Sequence, residues 1–574
     1  MYRLRPFLIS LILIALLAAP LPARAQEPVF PLPAPLYILT SEQQLIAINP
    51  VTGEQTTVSP VGQPVADFAI SPDGAWYVYR TPANGPLTIV SDRMSGSGYV
   101  LDFEAGLPPE GATGPTIAWA EDVAMIAYLV PEGVRIARLS GSDSMADIQT
   151  VPGGPWDSVT WAGPDTWAVT GSSGGLRAFK WENERWTSVQ LAATPSAVPA
   201  PAEATLTPDG VRLSDGQVVP STAGTIAFAW GPVPPPTVAG TPLPDSLYFL
   251  VQDENDIDQV WQLPADGSAA HPVTASGTAV AAYAVAPGQD RMAIIVGGTL
   301  SVVMVSDGST SDLAQIQTDN GRISLAWNAD GAQIAFSDAR GMWLVPADGS
   351  AAPRLLIQNN FNEQNIQAIH VYFDPRWSPE GTRLLVTVGL YEGSIFGVVD
   401  IDSGTLTELS QLTGTGARWV DENRVAAWTA SFGYQTPGLY LADLSAPTVA
   451  QTILGMQYPV FDVRQNPAGQ WQILYGSAPG LGPQLLRVLA APTITGPYDP
   501  AFGSATGAYA DQPLLGLAGQ MGTQLVVAGL RDTRYDDQGR ARGTLIVADL
   551  GLGTTVQVET PGPVWSLAWG GTGS

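Results

Sequence analysis

The chain has 574 residues, no cysteine and a formal net charge of -27 at pH 7. The absence of cysteine excludes disulfides, thiolate metal sites, a cysteine nucleophile and a lipid-modified cysteine. The acidic charge repels phosphate backbones and anionic lipids, so we expect no nucleic-acid partner and no polybasic attachment to membranes. Few charged residues (13%) with 61 glycines and 50 prolines indicate many short strands and tight turns.

The N-terminus has the pattern of a secretory signal peptide. Arg3 and Arg5 precede an apolar run over residues 7–19, and the small residues Ala23 and Ala25 stand at the cleavage positions. The run is shorter than a membrane-spanning helix, and no later stretch is long and apolar enough to span. We therefore expect residues 1–25 to be removed and the mature chain to be secreted or extracytoplasmic, with no transmembrane segment.

A recurrent phrase organises the rest of the chain: an apolar strand, a tight polar turn and a second apolar strand. Its clearest copies cover residues 69–79, 326–336 and 376–386, and weaker copies recur every 40 to 50 residues. Glycine supplies the positive φ of such turns and proline or aspartate begins them. This period predicts an all-β protein built from four-stranded antiparallel propeller blades.

The phrase Trp377-Ser378-Pro379-Glu380-Gly381 and its copies resemble the TolB-type, WD-repeat-like propeller repeat over most of residues 36–569. The Gly-His and terminal Trp-Asp dipeptides of WD repeats are not evident. The resemblance implies a β-propeller that binds other proteins or accompanies a catalytic domain, and no second domain type is visible.

About eleven units exceed the blades of a typical propeller, so we expect two rings. The predicted divisions are N-terminal blades over residues 26–200, a proline-rich seam over 201–245 and a second propeller of about seven blades over 246–574. The apolar segment 564–569 has the pattern of an innermost strand without the rest of its blade. We expect it to complete the first N-terminal blade, whose outer strands lie between residues 36 and 58.

One string has a catalytic pattern, Gly-x-Ser-x-Gly at residues 171–175. A nucleophile elbow needs a helix after the serine, whereas residues 176–181 continue as a strand, so we interpret the string as a hairpin turn. The two histidines, His271 and His370, lie in no recognisable motif. The sequence therefore predicts no catalytic residue, no cofactor and no metal ligand.

Two acidic clusters are weak candidates for ligand contact. The first contains Asp253, Asp256 and Asp258, and the second contains Asp532, Asp536 and Asp537. Neither has the spacing of a calcium-binding loop, so we interpret both as solvated loops. Paired carboxylates for sugar hydrolysis remain open, because the fold sets their separation.

The 17 tryptophans offer indole faces for sugars. Trp327, Trp377 and Trp419 lie inside strand phrases and should pack between blades. The repeat constrains Trp156, Trp181, Trp186 and Trp261 less, and these four are further weak candidates for ligand contact.

The main functional hypothesis is a binding scaffold whose partner, an unidentified protein or glycan, lies across a ring face or the central channel. The alternative is an extracellular hydrolase or lyase with a carboxylate-based site in a propeller channel. A third possibility is a structural spacer in a surface assembly.

Overall fold

The structure is a computed structural model of the chain. It describes residues 31–570 except 61, 83–84, 92–97, 122–124, 140–146, 164–165, 172–174, 183–184, 192–200, 208–209, 222–223, 319–321, 362–367, 430–435, 456–458, 467, 477–483, 503–508, 511 and 516–524. The expected signal peptide, Ser172 and Ser173 therefore lie outside the described residues.

Strands and turns make up the described chain, which confirms the all-β prediction. In the N-terminal part the strands are β1 (Leu36–Thr40), β2 (Leu45–Ile48), β3 (Gln55–Thr57), β4 (Asp67–Ile70), β5 (Trp76–Arg80), β6 (Leu87–Ser91), β7 (Gly98–Asp102), β8 (Ile117–Trp119), β9 (Met125–Val130), β10 (Gly133–Arg138), β11 (Asp147–Pro152), β12 (Trp156–Gly163), β13 (Thr166–Gly171), β14 (Leu176–Glu182), β15 (Arg185–Val189), β16 (Ala204–Thr207), β17 (Gly210–Leu213), β18 (Val218–Pro220), β19 (Thr225–Trp230) and β20 (Thr237–Val238).

The C-terminal part continues with β21 (Leu247–Gln252), β22 (Asp258–Leu263), β23 (His271–Pro272), β24 (Val280–Val285), β25 (Arg291–Val296), β26 (Thr299–Met304), β27 (Thr310–Gln315), β28 (Ser324–Trp327), β29 (Gln333–Asp338), β30 (Gly341–Pro346), β31 (Arg354–Gln358), β32 (Val371–Trp377), β33 (Arg383–Leu390), β34 (Gly393–Asp400), β35 (Leu406–Leu409), β36 (Gly416–Asp421), β37 (Arg424–Thr429), β38 (Gly438–Asp443), β39 (Ala450–Leu454), β40 (Val460–Gln465), β41 (Trp471–Tyr475), β42 (Gln484–Leu485), β43 (Arg487–Ala491), β44 (Asp499–Phe502), β45 (Tyr509–Ala510), β46 (Gln512–Leu515), β47 (Val526–Tyr535), β48 (Ala541–Asp549), β49 (Thr554–Val558) and β50 (Val564–Trp569). Among the described residues, no helix is long and apolar enough to cross a membrane.

The chain divides into two compact units. The smaller unit comprises Met1–Val65 and Val198–Val233. It contains the four-stranded sheet β19-β1-β2-β3 and the three-stranded sheet β16-β17-β18 around one apolar cluster. Five strands thus run through residues 201–245, where the sequence predicts a proline-rich seam.

The larger unit comprises Ala66–Ala197 and Pro234–Ser574. Its N-terminal part forms three sheets, β4–β7, β8–β11 and β12–β15, joined in sequence by two apolar clusters. Its C-terminal part forms five four-stranded sheets, the two-stranded sheet β42-β45 and one nine-stranded sheet that includes β20 beside β49. We divide the nine-stranded sheet at the single pair between Gly543 of β48 and Val564 of β50, which gives seven ring sheets numbered 1 to 7. Ring sheet 1 is β50-β21-β22-β23, sheet 2 is β24–β27, sheet 3 is β28–β31, sheet 4 is β32–β35, sheet 5 is β36–β39, sheet 6 is β40-β41-β43-β44 and sheet 7 is β46–β49.

The seven sheets form a closed ring. One apolar cluster lies between each pair of consecutive sheets from 1 to 7. A further cluster joins sheet 7 to sheet 1, where Val526 and Leu545 pack with Phe249 and Trp569. Burying a continuous apolar face against each neighbour is the packing logic of a propeller.

The C-terminal strand closes this ring and does not complete the first N-terminal blade. β50 pairs antiparallel with β21, with Leu247 opposite Trp569. β1 instead pairs with β19 on one side and β2 on the other. The expectation that 564–569 pairs with the strands of residues 36–58 is therefore wrong, because β19, which follows four intervening sheets along the chain, occupies that edge of β1.

Both backbone conformation and a side-chain hydrogen bond stabilise the repeated turn. Its glycine has a positive φ in each clear copy: Gly74 at 73°, Gly331 at 69° and Gly381 at 70°. The first turn residue, Ser71 or Ser378, accepts a hydrogen bond from the backbone N–H of the next strand, at 2.9 Å from Trp76 and 3.1 Å from Arg383. The residue pattern therefore fixes the hairpin locally.

Tryptophan joins the first strands of consecutive sheets. At five sheet boundaries an indole N–H donates to a carbonyl on the preceding first strand: Trp119 to Ala69 (3.4 Å), Trp161 to Ala118 (3.0 Å), Trp327 to Ala284 (2.9 Å), Trp377 to Ala326 (3.2 Å) and Trp419 to Arg376 (3.0 Å). Trp327, Trp377 and Trp419 are buried between sheets, as the sequence predicts. In the ring, the first strands are thus direct neighbours and border its axis.

Candidate functional site

One aspartate of each acidic cluster lies at the closure of the ring. Asp258 begins β22 in ring sheet 1, and Asp536 lies in the turn between β47 and β48 of sheet 7. Two arginines of β48 and its preceding turn, Arg540 and Arg542, bind both carboxylates. We call these four residues with Trp565 the closure network.

Asp258 is the buried centre of the closure network. Its carboxylate accepts two hydrogen bonds from Arg542, at 2.8 and 2.9 Å, and one from Arg540 at 2.9 Å. Trp565 of β50 donates its indole N–H to the same carboxylate at 3.2 Å. The side chains of Asp258 and Arg542 are 4% and 9% exposed, so this bidentate pair is largely removed from water.

Asp536 accepts hydrogen bonds from both arginines of the closure network. Its Oδ2 accepts from Nε of Arg540 at 2.7 Å and from Nε of Arg542 at 2.8 Å. Burial alone raises the pKa of Asp536, but the hydrogen bonds from Arg542 and Arg540 outweigh it, so its pKa lies well below the ordinary value. The carboxylate is therefore ionised throughout the neutral range.

Trp565 completes the closure network as an aromatic platform. The guanidinium carbon of Arg540 lies 4.7 Å from its ring centroid and that of Arg542 lies 5.5 Å away. Because Trp565 belongs to β50 and the two arginines belong to β48 and the turn before it, the network joins β50 to sheet 7 as well as to Asp258 of β22. The oxygens of Asp258 and Asp536 thus face arginines of the same chain.

Of the remaining acidic candidates, Asp253, Asp256 and Asp537 lie in turns, and Asp532 lies at a register shift within β47. Asp253 accepts backbone N–H bonds from Asn255 and Ile257 and shapes its own loop. Asp256 and Asp537 are exposed, and Asp532 lies 3.7 Å from Arg531. In the described part of the chain, no three His, Asp or Glu side chains come together as a metal site.

The four tryptophan candidates fall in three places. Trp181 and Trp186 face each other across β14 and β15, with ring centroids 5.1 Å apart, and the guanidinium of Arg138 lies 5.7 Å from Trp181. These rings border a small cavity with Met125. All four candidates, Trp156, Trp181, Trp186 and Trp261, are half-buried.

Trp156 and Trp261 occupy different surroundings. Trp156 begins β12, where the guanidinium of Arg177 lies 5.5 Å from its ring. Trp261 lies on β22, and its indole nitrogen is buried without a hydrogen-bond partner among the described residues. The structure therefore does not bring the four tryptophans into one surface.

Sequence reasoning missed a groove between ring sheets 2 and 3. The groove has a volume of about 480 Å³ and runs between β27 and β30, with Asp312, Arg340 and Trp343 among its lining residues. The guanidinium of Arg340 lies over the indole of Trp343 at 4.4 Å. This size is within the usual range of ligand pockets.

A buried aspartate fixes both groove residues. Asp338 is fully buried and accepts hydrogen bonds from Nε of Arg340 at 2.8 Å and from the Trp343 indole at 2.9 Å. Burial raises the pKa of Asp338, but the bonds from Arg340 and Trp343 outweigh it and hold the pKa below its ordinary value. The only sequence signal for this arrangement is the phrase Asp338-Ala339-Arg340-Gly341, a charged turn in a chain poor in cations.

The two histidines lie in different parts of the ring. His271 is exposed on β23, opposite Gln262. His370 lies 3.6 Å from Glu408 through its Nε2. The strand that follows residues 171–175, β14, begins at Leu176, as expected for a hairpin.

No family model matches the chain, and no curated protein matches it in sequence. Solved structures similar to it include a putative TolB from Agrobacterium tumefaciens, at 16% identity over 44% of this chain and 87% of that chain, with a TM-score of 0.29. TolB from Acinetobacter baumannii is 12% identical over 72% of this chain and 82% of its own, with a TM-score of 0.33. A puromycin-hydrolyzing peptidase from Mycobacterium tuberculosis is 15% identical over 56% of this chain and 52% of its own, with a TM-score of 0.38.

The class of the chain follows from its own sheets. Four-stranded antiparallel sheets, an apolar cluster at every boundary and a final strand that pairs with the first sheet make residues 247–569 a β-propeller. The structural neighbours include TolB and other β-propeller proteins.

Proposed function

We propose that this chain is an extracytoplasmic binding scaffold that engages a protein or surface ligand through the groove between ring sheets 2 and 3. The extracytoplasmic location rests on the N-terminal pattern of residues 1–25. The groove supports binding because it combines an aromatic ring, a cation and a carboxylate in one recess.

The observation that carries the proposal is the fixed pair of Arg340 and Trp343. Asp338 holds both side chains, while the Arg340 side chain stays 37% exposed and Trp343 stays half-buried. Arginine and tryptophan dominate binding energy at protein interfaces. Because both are ordered before a partner arrives, little entropy is lost on binding.

A binding screen of the mature chain against envelope proteins and glycans tests the proposal. Trp343→Ala should weaken any interaction found by about 2 kcal/mol or more, roughly thirtyfold in Kd, because it removes the aromatic wall of the groove. Binding is measured by surface plasmon resonance with wild type and variant side by side.

Tyr391→Ala is the matched control, since Tyr391 is an exposed aromatic of ring sheet 4 outside the groove. Its affinity should equal that of wild type. A screen in which nothing binds at micromolar concentration, or a partner that binds the Trp343 variant as tightly as wild type, contradicts the proposal.

A further inference from the structure

Three arginines lie on the first strands of consecutive ring sheets. Arg376 belongs to β32 of sheet 4, Arg418 to β36 of sheet 5 and Arg464 to β40 of sheet 6. The indole bond from Trp419 to the carbonyl of Arg376 joins β32 and β36 directly. Because first strands border the axis of the ring, the three arginines form an inner arginine cluster there.

The charge of the inner arginine cluster is not balanced. Asp462 is the acidic group that interacts with Arg418, together with the cations Arg464 and Arg376. Asp462 is already paired with Arg464 at 2.9 Å, and both side chains are 5% exposed. Among the side chains that the structure describes here, three arginines and one aspartate leave an excess of positive charge, in a protein whose net charge is -27.

Several buried polar atoms of the cluster lack partners. Among the described residues, Nε of Arg418 and Nη1 of Arg464 are buried without a hydrogen-bond acceptor. Arg376 is half-buried, and its Nη1 donates to the backbone carbonyl of Asp374 at 3.5 Å. A buried cationic N–H group without an acceptor lowers the stability of the folded state, because it loses its hydrogen bonds to water and gains none in the protein.

Gln472, next to Arg464, also has a buried polar atom without a hydrogen-bond partner among the described residues. It lies directly opposite Arg464 in the β40–β41 ladder, so the two side chains share one face of sheet 6. Its Oε1 is buried without a hydrogen-bond donor. The amide Nε2–H of Gln472 can donate to an anion beside Arg464, whereas its Oε1 requires a hydrogen-bond donor.

The electrostatics of Arg418 agree with an incomplete site. Burial, followed by repulsion from Arg464, lowers the pKa of Arg418 to about 10. A guanidinium normally titrates far higher, so its surroundings penalise the charge that it carries. An anion beside it would remove this penalty.

We infer that the inner arginine cluster is a binding site for an oxyanion, a carboxylate or a phosphate, held by Arg376, Arg418 and Arg464. The planar fork of each guanidinium matches two oxygens of either group. The site lies on sheets 4 to 6, apart from the groove of sheets 2 and 3, so it goes beyond the proposed scaffold function.

Thermal unfolding and calorimetric titration test the inference with two probes, inorganic phosphate and succinate, against chloride at matched ionic strength. Wild type should gain stability with at least one oxyanion in the millimolar range. Arg418→Met should weaken that binding roughly tenfold or more, because a charge-assisted hydrogen bond is lost. A response to phosphate alone, or to succinate alone, identifies the chemistry of the natural ligand.

The stability of Arg418→Met without oxyanion gives a second readout. The variant should be at least as stable as wild type in chloride, because it removes a buried charge that its neighbours repel. Arg354→Met is the matched control, an exposed arginine of ring sheet 3 whose loss should leave the oxyanion response unchanged. A second variant, Arg418→Lys, keeps the charge without the planar fork and should bind the oxyanion more weakly than wild type.

Three results would overturn the inference: no oxyanion response in wild type, an equal response in the Arg418 variant, or a marked loss of stability of Arg418→Met in chloride alone. The last would mean that the chain already satisfies this arginine. The Trp343→Ala variant should keep the full oxyanion response. A wrong proposal for partner binding in the groove can therefore be distinguished from a wrong proposal for oxyanion binding at the inner arginine cluster.

Discussion

At the scale of single residues, the two buried carboxylates of Asp258 and Asp338 are each held by several hydrogen bonds. Asp258 accepts from Arg540, Arg542 and Trp565, and Asp338 accepts from Arg340 and Trp343. A buried carboxylate is stable only when its lone pairs are satisfied in this way. The inner arginine cluster is the contrasting case, because it buries donors without acceptors.

The lowered pKa of Asp536 predicts a pH dependence of stability. A depressed folded-state pKa contributes stability above the unfolded value, about 3.9, and this contribution is lost as pH falls through the folded value. Asp536→Asn should therefore lower Tm by a few degrees at pH 7, and the difference from wild type should shrink below about pH 4. Calorimetry between pH 2 and 7 measures it.

Asp537→Asn serves as the control, since Asp537 is exposed and directly follows Asp536. It should track wild type across this range. If Asp536→Asn keeps the same deficit at every pH, the loss is one of packing and not of charge.

At the scale of elements, the link between sheets is a tryptophan at the end of a first strand. Apolar packing alone lets two sheets slide against each other. The indole hydrogen bond is directional, so it fixes the position of one first strand along the next. This explains why the phrase Ala326-Trp327 recurs as Arg376-Trp377 and Arg418-Trp419. The residue before each tryptophan points to the opposite face of the sheet, so it takes no part in this indole bond.

Trp377→Phe tests this link. The change removes the bond to the carbonyl of Ala326 while keeping an aromatic ring, so we expect a loss of about 1 to 3 kcal/mol in the free energy of unfolding. Chemical denaturation gives the value.

Trp261→Phe is the paired control, because the Trp261 indole nitrogen has no partner among the described residues. It should cost clearly less than Trp377→Phe. Equal losses would show that packing volume and not the hydrogen bond governs both sites.

The repeated elements were predictable, and their long-range pairing was not. The strand-turn-strand phrases at residues 69–79, 326–336 and 376–386 appear as β4–β5, β28–β29 and β32–β33, because turn chemistry is local. The partner of 564–569 was mispredicted, since several edges accept the same apolar strand. The two acidic clusters could be named separately, but their meeting depends on the ring, because Asp258 and Asp536 belong to opposite ends of its sequence.

At the scale of the whole ring, closure depends on β50. Its residues Val564 and Trp569 are 0% and 3% exposed, and the strand covers the edge of β21 that would otherwise lack a partner. The closure network adds Trp565 to the same junction. Loss of this strand therefore opens the ring and exposes two apolar sheet faces.

A chain that ends at Pro563 should unfold at a Tm lower by about 10 °C or more, because it loses a buried strand and its ladder of hydrogen bonds. A synthetic peptide of residues 561–570 should restore part of the loss, whereas a scrambled peptide should not. Unchanged thermal stability after the deletion would contradict a closing role for β50.

Closure by the final strand also constrains how the protein is made. During synthesis, β21 is made about three hundred residues before β50, the strand that pairs with its edge. Throughout that interval its edge and the first sheet of the ring are open to other chains. Biogenesis should therefore depend on keeping nascent molecules apart until synthesis has passed Trp569.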